Sequence, residues 1–311
     1  METALLLIVW RRPEETKKLI DSIRPFSPQK IYVASDGPKI DDIDNQKKVF
    51  EVRKLIDKEI NWGCTLKKFY AKSNKGCKLG VTDAITWFFA NEEEGIILED
   101  DCIPRNEFFP YCIDLLERYR YEEKIWCICG NSYQRGLSTS KESYFFSRYS
   151  QFWGWATWKR SWDKYDNNMK AWADQKNKKF LKREFKSYST WLYWKSIWDD
   201  IYYRSYPDTW DYQWIFCCML NSGMVCLPNK DLVENIGFGP LATHTTDVKF
   251  KRKFINDEST IFPLIHPKYI SISSKADQFI ERTIQKGPTL KFYIKYFLKR
   301  ILILIKTNYG K

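Results

Sequence analysis

The stretch GIILEDDCIPRNEFF, residues 95–109, decides how the rest of the chain is read. An apolar run ends abruptly in Glu99, Asp100 and Asp101, three adjacent acids in a chain that is strongly basic overall. Neighbouring carboxylates raise one another's pKa and cost stability unless a cation lies among them. The cluster is therefore either a solvated acidic turn or a place where something positive binds. A short, continuous apolar run is the pattern of a strand covered on both faces. Acids at its carboxyl end would then lie on the edge of a sheet.

Upstream, the same pattern repeats. ALLLIVW (4–10) reads as a first buried strand, and RPEETKKLIDSIR (12–24) as a helix opening with Pro13 and two glutamates. KIYVASDGP (30–38) is a second strand running into a turn, followed by a charged helix carrying Val49, Val52, Leu55 and Ile56. CTLKKFYAKS (64–73) is a third strand, LGVTDAITWFFAN (79–91) a helix, and GIILEDD (95–101) a fourth strand. Strand–helix–strand repetition implies an α/β sheet, and such sheets bind ligands beyond the carboxyl ends of their strands. That edge carries Arg11 and Arg12 after the first strand, Asp36 after the second, and the three acids after the fourth. Position thus favours a bound cation over a solvated turn.

With 311 residues, 44% hydrophobic and 17% aromatic, the chain can bury a sizeable core. Its formal charge of +12 points to an anionic partner: nucleic acid, anionic lipid or a phosphorylated small molecule. Nine cysteines without a C-x-x-C pair, together with two histidines, argue against zinc and for free thiols in a reducing cytosol. The N-terminal apolar run is too short for a targeting segment or a membrane span. No G-x-G-x-x-G and no G-x-x-x-x-G-K-[ST] is present, so neither standard phosphate cradle is available. A divalent metal held by hard carboxylate oxygens, Mn²⁺ or Mg²⁺, would allow a nucleoside diphosphate to bind without one.

Beyond residue 126 the texture changes to aromatic clusters, a basic helical stretch over 176–204, and the segments TWDYQW (209–214) and GFGPLATHT (237–245). Taken in order, IILEDDCIPRNEFF, VASDGP, WRRP, FWGWATW (152–158), TWDYQW and GFGPLATHT resemble the motifs of GT-A-fold glycosyltransferases, specifically the N-acetylglucosaminyltransferase I-like group and its bacterial relatives. Phe152 stands where that family has a first glycine, and Thr243 and Ala242 depart from its Ser and Gly near the loop histidine.

The resemblance implies a mixed central α/β sheet flanked by helices. Residues 1–125 would form the nucleotide-sugar-binding half, 126–250 the acceptor-binding and catalytic half, and 251–311 a C-terminal extension. It implies an inverting transfer from a nucleotide-diphosphate sugar, UDP-linked, to a saccharide or lipid-linked saccharide acceptor in surface polysaccharide or glycolipid synthesis. Asp101 would coordinate the metal. Arg12, Asp36, Glu99, Asp100 and His244 would bind the donor, and Trp153, Gly154 and Trp155 the acceptor. Alternation along an extended strand sets Glu99 and Asp101 on one side and Asp100 on the other. An inverting transfer also needs a carboxylate to take the acceptor hydroxyl's proton. Asp211 is the preferred candidate, with the Asp199 and Asp200 pair in SIWDDIYY as the competitor.

In LKFYIKYFLKRILILIK (290–306), lysines recur at helical spacing beside apolar residues. Residues 289–306 read as a basic amphipathic helix, either lying on an anionic membrane surface or packing on the protein itself. The first option places the protein peripherally on the cytoplasmic face of the cell membrane. Two rival functions remain: a basic nucleic-acid-binding protein and a metal-dependent nucleotidyltransferase. The first leaves the acidic cluster without a purpose, so no nucleic-acid partner is expected.

Overall fold

The computed structural model describes residues 1–132, 134, 141–238, 260–283, 294 and 298. Its first half follows the expected alternation: β1 (Leu5–Val9), α1 (Pro13–Ile23), β2 (Lys30–Ser35), α2 (Ile43–Glu59), β3 (Thr65–Tyr70), α3 (Gly76–Phe89) and β4 (Glu94–Glu99). Then come β5 (Cys102–Pro104), α4 (Phe108–Arg118), β6 (Ile125–Cys129), β7 (Tyr144–Ser147), β8 (Trp155–Trp158), α5 (Lys159–Trp162), α6 (Gln175–Glu184), α7 (Tyr188–Arg204), α8 (Asp211–Leu220), β9 (Met224–Pro228), β10 (Val233–Asn235) and α9 (Ser274–Thr283).

Eight strands form one mixed sheet in the order β3-β2-β1-β4-β8-β6-β9-β7, and β10 pairs with β5 in a small separate ribbon. Strands β1 to β4 are parallel, while β8 runs antiparallel to both β4 and β6. The edge where β1, β2 and β4 end therefore also receives the start of β8 and the end of β6. Helices cover both faces, which is why β1 is apolar throughout. Its Leu5, Leu7 and Val9 enter the core shared with α1, α2 and α4, and Leu6 enters the opposite core with α3 and the tryptophans of α7 and α8. Each fully buried leucine contributes about 1.5–3 kcal/mol. Outermost β3 is half-exposed and carries Lys67 and Lys68, charges that discourage edge-to-edge pairing with another chain.

Two departures from the sequence reading concern the second half. The helical stretch over 176–204 is two helices, α6 and α7, broken at residues 185–187. Ser187 caps α7, its hydroxyl accepting from the Thr190 amide at 3.5 Å, and a capped start ends the preceding helix's continuity. Residues 260–283, expected within a C-terminal extension, return to the sheet. Ile272 bridges Phe146 of β7, and α9 packs beside it. There Asp277 accepts a 2.6 Å hydrogen bond from Ser147, and Tyr149 donates one of 2.8 Å to Glu281.

All nine cysteines are free, and seven of them are buried. No helix among the described residues is long and apolar enough to cross a membrane. His244 and the amphipathic segment 289–306 lie outside the described residues, save Ile294 and Leu298.

Candidate functional site

β4 stops at Glu99, and Asp100 and Asp101 form the turn that leads to β5. Strand alternation accordingly stops there too. Asp100 and Asp101 do not point to opposite sides but share one cation, Arg12, whose Nη1 lies 3.1 Å from Asp100 Oδ1 and 2.5 Å from Asp101 Oδ2. The Trp10 amide donates to Asp100 Oδ2 at 3.2 Å, and Asn235 Nδ2 to Asp101 Oδ1 at 3.3 Å. Gly237 lies so close that a Cβ there would stand 1.9 Å from Asp101 Oδ2. Only glycine fits beside the turn.

Glu99 is different. Its carboxyl has no hydrogen-bond partner among the described residues, and burial, then the charges of Asp101, Asp100 and Asp211, push it well above the usual range. Burial likewise raises Asp100, against the pull of Arg12. Burial also works against the charge of Arg12, but Asp100 and Asp101 outweigh it and hold the guanidinium above its ordinary pKa. Three carboxylates thus face one guanidinium.

Asp36, at the end of β2, is heavily bonded. Its oxygens accept from the Gly37 amide at 2.7 Å, Asn74 Nδ2 at 2.7 Å, the Lys75 amide at 2.9 Å and the Gly76 amide at 3.2 Å. Four donors engage the carboxylate assigned by resemblance to the nucleotide base. It ties the loop after β3 to the start of α3 and caps that helix. From the other side of the molecule Asp208 accepts from the Cys77 amide at 2.9 Å and the Lys78 amide at 3.3 Å. The amides of the first turn of α3, which lack intrahelical partners, are shared between two carboxylates 172 positions apart in role and origin: one from β2, one from the segment before α8.

Opposite the acidic turn, Asp211 opens α8, held by a hydrogen bond from the Thr209 hydroxyl. Its charge reaches Glu99, Cys77 and Tyr193. One cavity of about 750 Å³ unites these groups, lined by Arg12, Asp36, Glu99, Asp100, Asp101, Trp153 and Asp211 among others. The competing acids lie elsewhere. Asp199 is buried and accepts from Trp172 Nε1 at 3.0 Å and from Lys195; Asp200 pairs with Arg204 at 3.1 Å. Neither lines the cavity.

The acceptor assignment needs correction at two positions. Trp155 is 1% exposed and stacks on Trp210 with ring centroids 5.5 Å apart, so it belongs to the core and cannot touch an acceptor. Gly154, at φ +67°, is packed where a Cβ would stand 2.7 Å from Val233, so its place is structural. Trp153 remains at the cavity. Sequence reasoning missed the rest of that wall: Tyr193, Tyr212 and Ile280, and with them Asp208. Tyr212 lies within TWDYQW and Asp208 just before it, whereas nothing in the sequence points to Tyr193 or Ile280.

A divalent cation suits this donor set. Glu99 offers a carboxyl without a hydrogen-bond partner among the described residues, and three carboxyl groups gather here around one guanidinium, a setting in which a bound cation would favour their ionised forms. No group of three or more His, Cys, Asp and Glu residues forms a complete metal cage among the described residues. Protein ligands would number one or two, as is usual for Mg²⁺ completed by substrate phosphates.

No protein-family model and no curated protein matches the chain. Solved structures with partial likeness include a cytidylyltransferase from Leptospira borgpetersenii, at 12% identity and TM-score 0.33 over 53% of this chain. This chain spans 64% of that protein, less than two thirds of its length. A 4-diphosphocytidyl-2C-methyl-D-erythritol synthase from Anaerococcus prevotii matches at 12% identity and TM-score 0.34, covering 56% of this chain and 78% of that one. UTP-bound UGPase from Acinetobacter baumannii matches at 9% identity and TM-score 0.36, covering 73% and 86%.

Proposed function

We propose that the protein is a metal-dependent, inverting glycosyltransferase of the GT-A type that takes a UDP-sugar as donor. The observation that carries this reading is the single cavity in which the acidic turn after β4 faces Asp211 across a volume of about 750 Å³. That size falls within the range of small-molecule and cofactor sites, about 300–1,000 Å³. The ordered resemblance of the sequence motifs supports the same reading.

Asp101, with Glu99 beside it, would hold Mn²⁺ or Mg²⁺, which supplies positive charge to a leaving diphosphate. Arg12 fixes Asp100 and Asp101 through its two short contacts and so presets the turn for binding. Asp36 shapes the base-side pocket through the backbone it holds at residues 37 and 74–76. Across the cavity, Asp211 accepts the proton of the acceptor hydroxyl as that oxygen attacks the sugar. Trp153, Tyr193 and Tyr212 offer apolar faces and polar edges to a saccharide ring. A nucleotidyltransferase would want a basic phosphate loop after β1. Here the Arg12 of that loop is already engaged by Asp100 and Asp101.

The deciding experiment is a thermal-shift titration with UDP, GDP, CDP and ADP, each with and without Mn²⁺. A ligand at about 100 times its dissociation constant stabilises by about 2.7 kcal/mol. The expected result is a shift with UDP that requires Mn²⁺ and is lost in Asp101→Asn. No shift with any nucleotide would overturn the reading.

A further inference from the structure

The first turn of α3 is where the two walls of the cavity meet, and the meeting is made by Asp208. This residue lies in the segment just before α8 and accepts from the Cys77 and Lys78 amides, 131 and 130 positions away in sequence. Gly76 makes the approach possible: at φ +82° it would bring a Cβ to 2.7 Å from Asp208 Oδ2. On the same turn, Asp36 accepts from Lys75 and Gly76. Successive amides are thus divided between the wall that carries the acidic turn and the wall that carries Asp211. A carboxylate on helix amides is favoured both by the charge-assisted bonds and by the helix dipole.

We propose that Asp208 is a positioning residue: its clasp on α3 sets the distance at which Asp211 faces the acidic turn. Only two residues separate Asp208 from Asp211, and the Thr209 hydroxyl between them donates to Asp211. Short spacing leaves little slack, so the clasp and the carboxylate at the start of α8 move as a unit. The role assigned to Asp211 rests on the glycosyltransferase reading, whereas the clasp itself does not. A displacement of about 1 Å in a reacting group costs roughly 10²-fold in rate. Release of the clasp is therefore expected to lower turnover while sparing nucleotide binding, since Asp208 touches the helix amides and not the acidic turn.

The test compares the unmodified protein with Asp208→Asn, Asp208→Ala and Gly76→Ala. Gly76→Ala presses on the same contact from the helix side. Amide hydrogen exchange would be followed at residues 76–78 and 208–211, with β6 and β9 as internal references. UDP affinity would be measured by calorimetry with Mn²⁺, and turnover as UDP release from UDP-N-acetylglucosamine. The expected result is exchange faster by about tenfold or more at both segments in Asp208→Ala, with the reference strands unchanged. Asp208→Asn keeps one acceptor oxygen and should fall between. In the two Asp208 variants UDP affinity should stay within about twofold while turnover falls about 10- to 100-fold. Unchanged exchange at 208–211 would overturn the proposal, as would a loss of UDP affinity equal to the loss of turnover. If the unmodified protein binds no UDP, the glycosyltransferase reading fails, and the exchange measurement still decides whether the clasp exists.

Discussion

Asp277 offers a test in which the magnitude follows from the structure. It is 2% exposed, accepts from the Ser147 hydroxyl at 2.6 Å and the Arg148 amide at 3.4 Å, and lies 3.6 Å from Arg148 Nη1. Burial nevertheless pushes its carboxyl up from an ordinary 3.8 to about 6, against the pull of Ser147 and Arg148. A carboxyl raised in the folded state favours folding when protonated. Its contribution is complete below pH 3.8 and is lost as pH rises through about 6. At about 1.36 kcal/mol per pH unit, that loss reaches about 3 kcal/mol by pH 7.

Asn at this position keeps the shape and the bond from Ser147 but cannot ionise. Its amide group faces the Arg148 N–H and forfeits that bond, at about 1 kcal/mol. D277N is therefore expected to be less stable than the unmodified protein by about 1 kcal/mol at pH 4 and more stable by about 2 kcal/mol at pH 7.5. Urea denaturation of both proteins at half-unit steps between pH 4 and 8 measures the difference directly. A difference that stays flat across this range would mean that Asp277 ionises at little cost, and the reasoning would fail.

Asp211→Asn should retain Mn²⁺-dependent UDP binding while transfer falls by about 10²-fold or more; full turnover would remove Asp211 from the chemistry. The two tryptophans flanking Gly154 should behave oppositely. Trp155→Ala is expected to cost about 3–5 kcal/mol of stability, whereas Trp153→Ala, at a half-buried residue, should cost clearly less and weaken acceptor binding. Equal losses of stability would refute the division between core and cavity. If residues 289–306 lie on an anionic membrane surface, the intact protein should co-sediment with vesicles containing anionic lipid and deletion of 289–311 should abolish this; no co-sedimentation of the intact protein would favour packing of the segment on the protein itself.

The first half of the fold was legible because its information is local. The runs at 5–9, 30–35 and 94–99 are short and apolar, and the helices between them show their own periodicity, so each element could be read without its neighbours. The same locality explains what was hidden. Arg12 and Asp101 are 89 positions apart, and nothing in either stretch shows that the guanidinium answers the repulsion of the acids. Aromatic residues in FWGWATW share one composition, yet Trp153 lines the cavity and Trp155 lies beneath it. The alternation that placed Glu99 and Asp101 on one side assumed a strand that continues, but the chain turns at Asp100. Asp208 went unread because its partners are backbone amides, which carry no sequence signature.

The return of residues 260–283 to the sheet bears on the order in which a chain leaving the ribosome can assemble. Strands β1 to β4 are complete once the first hundred residues have emerged, and their pairing needs nothing later. The cavity has a different timetable. Its wall includes Ile280, and Asp277 and Glu281 supply the acceptors for Ser147 and Tyr149. Until α9 emerges, a nascent chain lacks the residues that close one side of the aromatic pocket. The pocket thus depends on residues made late in synthesis, and a chain interrupted before residue 274 would lack the groups that close the site.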